Sequence, residues 1–133
     1  MHKLSAQRGV SLSVLACGAI AALLIVAGLM TDGAAQLQAR QRAGDVAAQV
    51  ARHALDAAAP YQVDGRDGRP VALAAAWVAA ARHPDLDFEI VMDAAGALHV
   101  STRQAVPTLF LQIIGLRQLT ASGQATAVVY QPH

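Results

Sequence analysis

The chain has 133 residues, 55% of them hydrophobic and only 4% aromatic. Its formal charge of +1 divides into +2 from Lys3 and Arg8 and −1 from the remainder, where 8 Arg stand against 9 Asp and Glu, so no basic face is expected to attract nucleic acid. The sole cysteine, Cys17, lies within an apolar run and reads as a small hydrophobe, and the chain beyond it has no cysteine for a disulfide.

Residues 10–30, VSLSVLACGAIAALLIVAGLM, carry no charged side chain. Crossing a bilayer takes about 20 mostly apolar residues in a helix. The run has that length, which exceeds the roughly 7–15 residues of a secretory signal core. Val10, Leu15, Gly18, Ala22, Leu24, Ile25, Val26 and Met30 mark the expected membrane anchor. Ser11 and Ser13 can bond back to carbonyls of the preceding turn, which limits their cost in lipid. Gly18 and Ala22 form a small-xxx-small pair that permits close helix approach. The rival reading is a cleaved signal, for which Gly33-Ala34-Ala35 supplies a small-residue site. Lys3 and Arg8 precede the run, and after Asp32 no Lys or Arg follows before Arg40. The positive-inside rule then predicts a cytoplasmic N-terminus and an extracytoplasmic remainder.

The helix is expected to continue beyond the membrane. Residues 36–59 lack proline and are rich in Ala, Leu, Gln and Arg, all good helix formers. Leu37, Ala43, Val46, Ala47, Val50, Ala54 and Leu55 recur at three- and four-residue steps and make one packing face. Asp32 sits where an N-cap or helix-turn carboxylate would help, and Gly33 just behind it permits a bend. Pro60 is expected to close the segment, giving one long helix over about 5–58. Asp64 to Gly68, DGRDG, reads as a solvated turn; Asp64 and Asp67 lack the companions of a calcium loop. Pro70 then opens a second helix, PVALAAAWVAAAR, ending near Arg82, with Leu73, Trp77 and Ala80 on one face and Trp77 as a core anchor.

From Asp87 the period changes from helical to alternating. Phe88, Ile90 and Met92 alternate through a strand, and Gly96 ends a hairpin loop. In the next strand, 97–106, Leu98, Val100 and Val106 take one side, and His99, Ser101 and Arg103 the other. PTLFLQIIGL reads as one or two helical turns stopping at Gly115, followed by a last strand over about 119–130. The fold class is α+β: a long N-terminal transmembrane helix running into a pilin-like domain with a short helix and a small antiparallel sheet. The expected organisation is 1–9 cytoplasmic, 10–30 transmembrane, 31–59 helical extension and 60–133 a small α+β domain.

No catalytic, cofactor-binding or metal motif stands out. His2, His53, His83, His99 and His133 have no metal-site spacing and read as surface residues. Asp85, Asp87 and Glu89 could crowd on one strand face as an acid–base pair, but no nucleophile motif accompanies them. A charged sheet edge that discourages aggregation is the plainer reading. No enzyme is expected.

Arg8-Gly9 leading into SLSV, the apolar span, Asp32-Gly33 and then RQRAGDVAAQVA resemble the N-terminal region of TadE/TadG-like proteins of the Tad/Flp pilus assembly system. Arg8, Gly9, Asp32, Gly33, Arg42, Ala43, Ala47 and Ala48 carry the match, and VPTLFLQIIGLRQLTASGQATA is similar to the family's ending. The resemblance implies a bacterial, bitopic, pilin-like envelope protein, an accessory or minor component of a pilus or secretion apparatus. Its implied partners are the membrane, other Tad-system subunits and further copies in a homo-oligomer. Prepilin-type members carry a Glu five residues after the cleaved Gly; here that position is Val14, followed by Leu15. A processed form would be cut at Gly9, leaving Val10 as its first residue. The reading from a different class is a small secreted binding domain or hydrolase, released after Ala35.

Overall fold

The computed structural model describes residues 2–129. The expected strand end at Tyr130 and the terminal His133 lie outside the described residues, as do the side chains of His2 and Lys3. The fold is α+β. Helix α1 runs His2–Val63 and helix α2 Arg69–Ala80; strands β1 (Asp87–Met92), β2 (Ala97–Pro107) and β3 (Gln118–Val128) form an antiparallel sheet in that order. A 3-10 turn, Leu111–Ile114, precedes β3.

Contacts divide the chain into two compact units, Met1–Ala34 with Pro107–Gln118, and Ala35–Val106 with Leu119–His133. The second unit holds the core. Its α1 segment presents Ala43, Val46, Ala47, Val50, Ala51, Ala54 and Ala58, all buried. Ala72, Ala76, Ala79 and Ala80 of α2 face them, and the strands add Ile90, Leu98, Val100 and Ala127. Among the fully buried side chains Leu98 is the largest, so this core gains its stability from close approach rather than from bulky residues.

The tightest point of that packing is polar and small. A Cβ on Gly123 of β3 would lie 2.6 Å from the carbonyl oxygen of Ala43, so only glycine lets the strand rest on the helix backbone there. Beside it the hydroxyl of Thr102, fully buried in β2, donates to the same Ala43 carbonyl at 2.8 Å. Arg42 and Asp85 form an exposed ion pair near this contact.

Three sequence expectations are corrected. Pro60 does not close α1, which continues to Val63. The proline gives up the N–H that would bond the turn before it, but its own carbonyl still accepts the Asp64 N–H at 3.2 Å, so the helix runs on for one more turn. The stop is instead Gly65, at φ +74: its N–H bonds Gln62 O at 3.0 Å and the Arg66 N–H bonds Tyr61 O at 2.7 Å, the paired bonds of a Schellman cap. Trp77 is not a core anchor but is 48% exposed, because α2 turns its alanine face inward. A ring of that size would hold α2 away from the small residues it packs on. Leu37, expected on the packing face, is 57% exposed, and Leu55 is partly buried against the core. The buried stripe begins at Ala39, which joins Val106 and Ala121 in a small separate cluster.

The polar turn 64–68 is tied by its own charges. Asp67 accepts the backbone N–H and the guanidinium of Arg69, each at 3.0 Å, and Arg66 stacks over Tyr61, 4.3 Å from the ring centroid. The Arg69 guanidinium holds the Asp67 carboxyl below the usual aspartate range.

Candidate functional site

The first unit pairs an apolar helix with an apolar loop. Among the described residues one helix is long and apolar enough to cross a membrane, and none of its most apolar stretch is buried. Val10, Leu15, Leu24, Ile25, Val26 and Met30 are all exposed, as is Cys17. Gly9, Gly18 and Ala22 are exposed too, and a Cβ on Gly9, Gly18 or Gly33 would meet nothing within 4 Å. So large an exposed apolar area fits a single-pass membrane protein.

Two residues of this segment do have partners. Gly28 is buried, and a Cβ there would lie 2.8 Å from Cβ of Phe110 and nearer still to its ring, so the missing side chain makes room for the phenyl group. One turn further on, Asp32 is only 3% exposed. Its Oδ1 accepts the N–H of Leu109 at 2.8 Å, and its Oδ2 accepts those of Phe110 and Leu111 at 3.0 and 2.9 Å. Asp32 does not cap its own helix, which is continuous there; it accepts the N–H groups of a turn in a segment 77 residues away. The helix is continuous through Gly33. The Leu109 N–H, with help from Leu111 and Phe110, outweighs desolvation and holds the Asp32 carboxyl below the usual aspartate range.

The loop is closed on itself as well. The Thr108 N–H donates to Arg117 O at 3.0 Å, and the Thr108 hydroxyl bonds the carbonyl of Leu116. Ile113 N–H reaches Phe110 O, Gly115 N–H reaches Gln112 O and Leu116 N–H reaches Leu111 O, at 3.0–3.1 Å. Gly115, at φ +95, makes the reversal that returns the chain to β3. Leu24, Ile25 and Leu29 of α1 line an apolar groove of about 390 Å³ with Phe110, Leu111, Ile113 and Ile114.

The second unit brings together residues far apart in sequence. His53 and His83 line one small cleft with Gln49 and Arg82, about 270 Å³ in volume. His99 lies between Asp93 and Thr126: Nε2 is 3.0 Å from Asp93 Oδ2 and Nδ1 is 3.3 Å from Thr126 Oγ1. Hydroxyl, imidazole and carboxylate in line have the order of a nucleophilic relay. Here the same Asp93 also accepts the N–H groups of Ala95 and Ala97, both at 2.9 Å, which makes it the hub of the β1–β2 turn. The His99 contact, followed by the Ala97 N–H, holds the Asp93 carboxyl below the usual range. The trio therefore staples the hairpin to β3.

Asp87 and Glu89 lie exposed on β1, an edge strand, opposite Arg103 and Ser101. Asp85 is drawn away from them by Arg42, whose guanidinium holds its carboxyl below the usual range. No group of three or more His, Cys, Asp or Glu among the described residues could hold a metal ion. The chain matches no family model, no curated protein and no solved structure.

Proposed function

We propose that this chain is a non-enzymatic, single-pass membrane protein with a cytoplasmic N-terminus and an extracytoplasmic α+β domain. In this reading it serves as an accessory or minor pilin-like component of a Tad/Flp pilus assembly or secretion apparatus. The observation that carries the anchor is the pairing of Gly28 and Asp32 with loop 109–111. A signal sequence is discarded, so its residues have no reason to be built into the fold. Cleavage after Ala35 would remove Asp32 and leave the N–H groups of Leu109, Phe110 and Leu111 without their acceptor. The orientation rests on Lys3 and Arg8 ahead of the span against Asp32 after it. The apparatus rests on the likeness of RG-SLSV, DG and RQRAGDVAAQVA to the TadE/TadG-like pattern.

Val50 and its neighbours on α1 are occupied by the domain's own core, so contacts to other subunits fall to surfaces such as the small-residue face of the span at Gly18 and Ala22. Deleting the chain in its host tests the reading. Loss of pili or of export, restored by the wild-type chain, supports it; normal piliation and export contradict the assignment to the apparatus.

A further inference from the structure

Loop 108–116, TLFLQIIGL, has no charged side chain. Five of its nine residues, Leu109, Phe110, Ile113, Ile114 and Leu116, are large hydrophobics left exposed, with Ile113 at 80% and Ile114 at 73%. A surface loop in water shows the opposite pattern: polar side chains outward and backbone groups open to solvent. Here the backbone is closed instead. The N–H groups of Thr108, Leu109, Phe110, Leu111, Ile113, Gly115 and Leu116 all have partners within the unit. Apolar side chains outside and paired backbone inside are what hydrocarbon demands of an irregular segment.

Its place on the helix gives the depth. The loop packs beside Leu24, Ile25, Gly28 and Leu29, in the half of the span nearest Asp32. At 1.5 Å per residue, Leu24 lies about 9 Å along the helix from Met30. That is the depth, roughly 5–10 Å, to which interfacial apolar segments enter the headgroup and acyl boundary. The charges flanking the arrangement are Asp32, buried with its oxygens on the loop N–H groups, and Arg117, which is exposed.

We infer that loop 108–116 is a second membrane element, seated in the lipid of the outer leaflet against the span and clasped there by Asp32. The occupant of its exposed apolar face is lipid acyl chain, because that face is continuous with the lipid-facing surface of the span itself. The inference rests on the membrane-anchor reading. Functionally it makes the end of β2 and the start of β3 a point of attachment to the bilayer, separate from the span.

The test places a nitroxide on Ile113→Cys, and in parallel on Ile20→Cys and Val63→Cys, in the full chain carrying Cys17→Ser. All three positions are exposed, so the labels disturb no packing. The proteins are reconstituted into phosphatidylcholine–phosphatidylglycerol vesicles and each label's collisions with oxygen and with a water-soluble nickel chelate are measured. The inference predicts that position 113 is oxygen-rich and nickel-poor like position 20, while position 63 is open to nickel. Nickel access at 113 with position 20 still in lipid overturns the loop's insertion and leaves the anchor standing. Low access to both reagents at 113 means that protein, such as a second copy, covers the face, and also overturns it. Nickel access at position 20 removes the anchor and the inference together.

Discussion

Asp32 and Leu109 are joined by a 2.8 Å hydrogen bond from the Leu109 backbone to the Asp32 carboxylate, across 77 residues of chain. This bond and its two companions make the end of the apolar stretch of α1 a structural partner of the loop before β3. They also make Asp32 the residue whose change is most informative.

Asp32→Asn keeps the side chain's shape but turns one oxygen into an amide that donates. Either the Leu109 bond on Oδ1 or the Phe110 and Leu111 pair on Oδ2 is then lost. Amide exchange at Leu109–Leu111 in the full chain should accelerate by roughly tenfold or more. The amides of Val100 and Thr102, in the sheet core, should exchange as before. Unchanged exchange at 109–111 would contradict the clasp.

Acid should loosen the same contact. The Asp32 carboxyl is held below its ordinary value by the three N–H groups, so its contribution is fully present above about pH 4 and is lost as pH falls through the lowered value. A spin label at position 113 should be immobile at neutral pH and gain mobility on acidification toward pH 3. In the Asp32→Asn background that titration should vanish, since the titrating group is gone.

Gly28→Leu places a side chain where Phe110 sits. The apolar stretch of α1 becomes more apolar, so the proposed membrane insertion should persist while the loop is displaced. Trypsin cleavage after Arg117, compared in vesicles with the wild type, should become faster. A cleavage rate equal to wild type would mean that the phenyl group does not need the space.

In the α+β domain, Leu98→Ala should cost about 2–5 kcal/mol, since Leu98 is fully buried and its neighbours are too small to refill the space. Gly123→Ala should cost about 1–3 kcal/mol by pushing β3 off the Ala43 carbonyl. Leu37→Ala, at an exposed site, should stay within about 0.5 kcal/mol of wild type. Thermal unfolding of the full chain in micelles ranks the three.

Much of the fold was legible because hydrophobic period changes along the chain. Alternation at Phe88, Ile90 and Met92 and at Leu98 and Val100 marks strands, and the small-residue stripe from Ala43 to Ala54 marks the inward side of α1. What failed were one judgement of size and two of where an element or its buried face ends. Trp77 looks like a core anchor by type, but a core of alanines has no room for it, and neighbouring Ala76 takes the inward place. Pro60 looks like a stop, yet the stop is the glycine five residues later, whose left-handed conformation closes the cap. Leu37 has the right spacing but lies outside the buried stripe. Asp32 stood where a cap for its own helix would help, and its actual partners at Leu109 to Leu111 were not readable. Nothing local links Asp32 to Leu109, and no periodicity reports a contact over that separation. The Asp93–His99–Thr126 staple was hidden for the same reason, each residue being unremarkable in its own segment.

The central claim is that residues 10–30 stay attached and hold the domain at the membrane. The most direct measurement is the N-terminal residue of the mature protein in fractionated host cells, by mass spectrometry. The account predicts a chain in the membrane fraction that begins at or before Val10 and so retains the whole span and Asp32. A chain in the medium beginning near Gln36 would contradict it.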